Sequence, residues 1–108
     1  MTNPKLDAFR QMVSRQPENA LARFGLANEA LKVGLYEEAR QHLEVYLEKY
    51  DDEGNGYGRL ADALAHGGRI AEAKDALRRG IAASNRFGHP SMAAEFESRI
   101  EELEDAER

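Results

Sequence analysis

Cysteine and tryptophan are both absent from this 108-residue chain. Without cysteine there is no disulfide, no thiolate nucleophile and no cysteine-ligated zinc, a pattern that fits a reducing compartment. Long apolar runs are missing too. None approaches the roughly 18 to 20 residues that a membrane span requires. The opening Met1-Thr2-Asn3-Pro4-Lys5 leads straight into an amphipathic pattern, with no apolar stretch ending at a small-residue cleavage site. The expectation is a cytoplasmic chain that does not enter a membrane. Nor is positive charge in excess: the net charge is -5, with Lys and Arg interleaved among Asp and Glu. Phosphate backbones are bound mainly through clustered Lys and Arg, so nucleic acid is not an expected partner. The overall charge weakly favours a basic one.

Groups that would support catalysis or metal binding are just as thinly spread. His42, His66 and His89 lie 24 and 23 residues apart, so no two share one helix face as local metal ligands do. Ser14, Ser84, Ser91 and Ser98 have no nucleophile-elbow context. The run Gly54-Asn55-Gly56-Tyr57-Gly58 is rich enough in glycine for a phosphate loop, but such a loop follows a strand, and this one follows a helical pattern ending near Tyr50. It reads as a turn between repeats. The acidic run at Glu101, Glu102, Glu104, Asp105 and Glu107 reads as a solvated face, because catalytic carboxylates need a concave setting that perturbs them. No enzyme, metal or cofactor is expected.

What the chain does have is a repeat. With 42% hydrophobic and 32% charged residues it has globular composition. At an offset of 34 residues, Ala20–Asp51 aligns with Gly54–Asn85, and six of the 32 pairs are identical: Leu26/Leu60, Ala27/Ala61, Gly34/Gly68, Glu38/Glu72, Ala39/Ala73 and Leu43/Leu77. Five of the six are small or apolar residues at helical spacing or a glycine where a helix should stop, so they report structure rather than composition. In the first unit Leu21, Phe24, Leu26, Ala27, Ala30, Leu31 and Val33 make one apolar stripe, closed at Gly34. Tyr36, Ala39, Leu43, Tyr46, Leu47 and Tyr50 then make a second. The other unit follows the same plan with Tyr57, Leu60, Ala61 and Leu64, the turn Gly67-Gly68, and Ile70, Ala73, Leu77 and Ile81. Each unit predicts two antiparallel helices.

This period and these residues resemble the tetratricopeptide repeat (TPR), as found in small bacterial TPR proteins. The pattern Trp-x2-Leu-Gly-x2-Tyr, Ala-x3-Phe, Pro is met in the second unit by Tyr57, Leu60, Ala61, Leu64, Ala73, Leu77 and Asn85. The first unit offers Arg23, Leu26, Ala27, Ala30, Ala39, Leu43 and Asp51. Ala stands for the Gly of the pattern in both units, and Arg23 for its large aromatic. One period further back, Phe9 and Pro17 take the Phe and Pro places. The resemblance implies an all-α helical-repeat solenoid over residues 1–108 as one domain. Its parts are a leading half-repeat helix at 4–16, repeat 1 at 20–51, repeat 2 at 54–85 and a C-terminal capping helix at 90–106.

The segment 86–91 is expected to be a loop, with Pro90 placed to open the last helix. That helix should bury Met92, Ala93, Phe96, Ile100 and Leu103. Continuing the 34-residue register would instead bury Glu95 and Ser98, so the register must slip by two residues, as at the end of a stack that keeps one polar face.

In TPR proteins the first helix of each repeat lines a concave groove. By that resemblance the groove-facing places are Leu21, Phe24, Asn28, Leu31 and Lys32, then Asn55, Gly58, Arg59, Asp62, Ala65 and His66. The partner-binding set is taken as Phe24, Asn28, Leu31, Lys32, Arg59, Asp62 and His66. Asn28, Arg59, Asp62 and His66 suit a peptide backbone or charged terminus. Phe24 and Leu31 either receive an apolar side chain or pack on the leading helix against Phe9, Met12 and Val13. Of the two-carboxylate clamp by which one TPR subclass grips chaperone tails, only Asn28 is matched. Phe24 stands where Lys is required, Arg59 where Asn is, and His89 and Ala93 where the basic pair should be. The expected role is an adaptor that binds a segment of a protein partner. The rival is a self-assembling, homo-oligomeric scaffold subunit, since short stacks leave apolar ends.

Overall fold

The computed structural model describes residues 3–108. Among them the chain forms six helices and no strand: α1 (Pro4–Arg15), α2 (Ala20–Lys32), α3 (Tyr36–Lys49), α4 (Asn55–His66), α5 (Ile70–Arg86) and α6 (Pro90–Ala106). Each helix packs on the next, and α2 also meets α4. That is the contact pattern of a stack in which helix pairs touch only their neighbours. No helix of the described residues is long and apolar enough to cross a membrane.

Local chemistry sets the ends of these helices. Asn3 opens α1 by accepting the Leu6 N–H at 3.1 Å, and Pro4 fills the first helical place, where a missing N–H costs nothing. Asn19 accepts the Ala22 N–H at 3.0 Å and opens α2 in the same way. Three turns share one backbone solution. Gly34, Gly68 and Gly88 have φ of 81°, 80° and 78°, and the next N–H in each case reaches back to a helix carbonyl: Leu35 to Ala30 at 2.9 Å, Arg69 to Leu64 at 2.8 Å, His89 to Ser84 at 2.7 Å. This left-handed closure satisfies carbonyls that the helix end would otherwise leave open. The third turn is shorter than the expected loop at 86–91: Arg86 closes α5, α6 opens at Pro90 as its place predicts, and only residues 87–89 lie between.

The glycine run at 54–58 also differs from the expected turn. Gly54 alone lies outside the helix, at φ 136°, and Asn55 begins α4. The reason is Asp52, a buried residue that sequence periodicity did not single out. Its Oδ1 accepts the N–H groups of Gly54 at 2.7 Å and Gly56 at 2.8 Å, while its Oδ2 accepts the Tyr46 hydroxyl at 2.6 Å. A carboxylate fixed in this way serves open N–H groups at a helix start and suits the positive end of the helix dipole. Burial, and then the hydrogen bond to Asp52, hold the Tyr46 phenol well above its usual range.

The core runs unbroken from Leu6 and Val13 on α1, through the repeat-equivalent pairs Leu26/Leu60, Ala27/Ala61, Ala39/Ala73 and Leu43/Leu77, to Phe96 on α6. Alanines at the pair positions let helices approach closely, and the leucines fill the space between them. On α6, Ala93 and Phe96 are buried, Met92, Ile100 and Leu103 pack partly buried against the core, and Glu95 and Ser98 are exposed. Three residues assigned to apolar stripes are exposed: Leu21, Val33 and Tyr50 at 64%, 49% and 47%. Val33 and Tyr50 are the residues that end α2 and α3, so the helical period that would bury them stops there. Leu21 follows the face of Phe24 and Asn28, away from the stripe of Ala22, Leu26 and Ala30 that takes the core.

Candidate functional site

Because the stack alternates first and second helices, α2 and α4 lie side by side and their outer faces form a hollow. A cleft of about 520 Å³ opens there, lined by Asn28, Leu31 and Lys32 of α2, Tyr36 of α3 and Arg59, Asp62 and His66 of α4. The structure thus brings together six of the seven residues assigned to the groove. Phe24 is not in this wall: its ring stacks on Tyr46 with centroids 4.8 Å apart and packs against the core. Its stacking partner belongs to α3, and the core it packs against includes Leu6 and Val13 of the leading helix. Leu31 both lines the cleft and packs against the core.

A second hollow of about 350 Å³ continues the first toward α6. Asn55, Gly58, Met92, Glu95, Phe96 and Arg99 line it, and Arg59 and Asp62 belong to both. The two residues therefore form the ridge between the chambers.

The polar groups of the groove differ in how far they are already engaged. Lys32 pairs with the buried Glu29 at 3.2 Å, a carboxylate that also attracts Lys5 at 3.7 Å. His66 places Nδ1 at 2.9 Å from the Asp62 carbonyl oxygen, which makes Nδ1 the protonated nitrogen and leaves Nε2 open. Its ring stacks on Tyr36 with centroids 4.8 Å apart. Asp62 is held by Arg99 of α6, whose Nη2 also reaches the Gly58 carbonyl at 3.3 Å. In the first cleft, Asn28 and Arg59 are not engaged in this way. The Asn28 Oδ1 is the one buried side-chain polar atom that accepts no hydrogen bond among the described residues. The Arg59 guanidinium, on an exposed residue at the ridge, enters no hydrogen bond or ion pair among them.

Sequence periodicity missed Tyr36 and Arg99. Tyr36 read as part of a core stripe, and its place at the mouth of the α2–α3 turn is a tertiary fact without a sequence signal. Arg99 did leave one: it interrupts the otherwise apolar stripe of Met92, Phe96, Ile100 and Leu103, and a charge on a buried face asks for a partner.

No family model matches the chain. A TPR repeat-containing protein of Pseudomonas aeruginosa is 28% identical over 101 residues, spanning 94% of this chain and 96% of that one. The solution structure of a protein from Bordetella parapertussis superimposes with a TM-score of 0.81 at 22% identity, covering 98% of this chain and 91% of that one. The chain is thus an all-helical stack of paired helices, similar in sequence to a TPR repeat-containing protein and in fold to the Bordetella protein.

Proposed function

We propose that the chain is a protein-interaction adaptor that holds an extended segment of a protein partner in the groove formed by α2, α4 and α6. The exposed Arg59 guanidinium, unpaired among the described residues, carries this reading: it offers N–H donors for a carbonyl or carboxylate. Asn28 lines the same cleft with an amide whose side chain can both donate and accept. A polypeptide backbone presents both kinds of group at short intervals, whereas the cleft has no nucleophile–base pair that would turn binding into chemistry. Helical-repeat proteins of this type characteristically serve as interaction modules.

Affinity capture with the wild type and with Asn28→Ala/Arg59→Ala tests the reading. Neither residue belongs to the apolar core, and circular dichroism checks that the variant keeps its helicity. A partner retained by the wild type and lost by the folded variant supports the groove; equal capture by both overturns it. The rival, self-association, rests on another surface, a cleft of about 770 Å³ at the edge of the stack, where Val33 and Leu35 are exposed beside Pro4 and Leu6. A chain that stays monomeric at high concentration removes it.

A further inference from the structure

We infer that Arg99, on the last helix, sets the charge preference of the groove, so that the segment bound there is acidic. This rests on the reading of the groove as a peptide site, and it starts from the fate of Asp62. From sequence, Asp62 is a groove acid available to a ligand. In the structure Arg99 reaches across from α6 and pairs with it, with a further hydrogen bond to the Gly58 carbonyl at 3.3 Å and its guanidinium 5.7 Å from the Phe96 ring. The side chain is thus fixed at four points of attachment: its own helix, a carboxylate, a carbonyl and an aromatic face.

The consequence is electrostatic. The first chamber holds two cations, Lys32 and Arg59, and one acid, Asp62. With Asp62 matched by Arg99, and Lys32 only partly offset by Glu29 behind it, Arg59 is the charge on the ridge with nothing opposite. Glu95 lines the second chamber but makes no ion pair with Arg59. The first chamber is therefore locally positive on a chain whose net charge is -5, while the unpaired Glu95 keeps the positive field out of the second; the choice of ligand follows the local field rather than the total. A carboxylate of the bound segment meets Arg59, with the neighbouring backbone running over Asn28 and Leu31 in the same chamber. This is opposite to the basic partner that net charge alone favours. Arg99 touches no ligand here; it acts through Asp62 and is a positioning residue.

Selection of random linear dodecapeptides by phage display against the wild type tests the inference. Titrations of the selected peptides then follow, into the wild type, Arg99→Gln and Asp62→Asn/Arg99→Gln, with amide shifts recorded by NMR. The expected result is enrichment in Asp and Glu and shifts at Asn28 and Arg59. Affinity should fall roughly fivefold to tenfold in Arg99→Gln, where Asp62 faces the ligand unpaired, and return in the double variant, where both charges are gone. A residue that only docks α6 would leave the double variant as weak as the single one, and that result overturns the inference. Groove-bound peptides without acidic enrichment overturn it too, while leaving the groove reading standing. Failure to select any peptide that shifts Asn28 or Arg59 overturns both. If Arg99→Gln does not fold, Asp62→Asn alone decides: acidic peptides must bind it at least as tightly as the wild type, and weaker binding sinks the inference.

Discussion

The two repeats solve the same packing problem with opposite materials. In repeat 1, Phe24 of α2 and Tyr46 of α3 stack on one another, and Tyr50 extends the row at 5.3 Å from Tyr46. The places 34 residues on are Gly58 and Gly80. Where repeat 1 has a pair of rings, repeat 2 has a pair of holes, and Phe96 of α6 fills both. A Cβ built at Gly58 would lie 3.0 Å from the Phe96 ring, and one built at Gly80 would lie 2.8 Å from it and 3.0 Å from the Tyr57 Cβ. Repeat 1 thus closes its space with its own side chains, whereas repeat 2 borrows a ring from the helix that follows. A second difference accompanies this one. Arg23, in the place of Tyr57, donates to the Pro17 carbonyl at 3.0 Å and to His42 Nδ1 at 3.1 Å, while the equivalent of His42 in repeat 2 is Ala76.

The comparison can be broken most directly at Phe96. Phe96→Ala should empty two glycine-lined holes at once and lower stability by about 3–5 kcal/mol. Phe24→Ala removes a half-buried ring and should cost less; urea midpoints that rank the two the other way would refute the borrowed-ring account. Next in size, Tyr46→Phe keeps the stack but leaves the Asp52 Oδ2 without its donor, for an expected loss of about 1–3 kcal/mol. Hydrogen exchange should show that loss at the start of α4. The smallest effect is confined to repeat 1 and depends on pH. Burial, and then the charge of Arg23, push the His42 imidazole below its ordinary value. Because the folded group gives up its proton more readily than the unfolded one, the unfolded chain binds more protons as pH falls below about 6.5. Stability present at pH 7.5 should therefore be lost on acidification, by no more than a hydrogen bond's worth, about 1 kcal/mol. A His42→Gln variant should lose this part of the pH dependence, and an unchanged acid slope would count against the assignment.

How much of this was legible in the sequence follows from what each feature depends on. The helices and their pairing were, because a period of 34 with glycines at 34 and 68 and leucines at 26, 43, 60 and 77 is carried by backbone conformation and burial, which repeat together. The cleft on α2 and α4 was legible through the family resemblance, which named six of its seven lining residues; Tyr36 and the engagement of Asp62 were not. The misreadings share one cause. Gly54–Gly58 read as a turn because glycine is usually a breaker, but here Gly56 and Gly58 are helical and buried, with the Tyr46 and Phe96 rings at the positions where a Cβ would sit. Phe24 read as a groove residue because it lies on the groove-facing stripe, yet its ring turns to Tyr46. Which neighbour occupies a space is a property of the assembled helices, and a single periodicity does not contain it.

Anyone splicing this stack into longer or shorter arrays will find that α6 is not a removable end-piece. It carries both the ring that plugs repeat 2 and the guanidinium that neutralises Asp62. Cutting the three-residue turn at 87–89 would take out a structural wedge and a charge selector in a single event. A further unit inserted after α5 would have to present an aromatic and an arginine three residues apart, as Phe96 and Arg99 do, for the preceding unit to keep its shape and its preference.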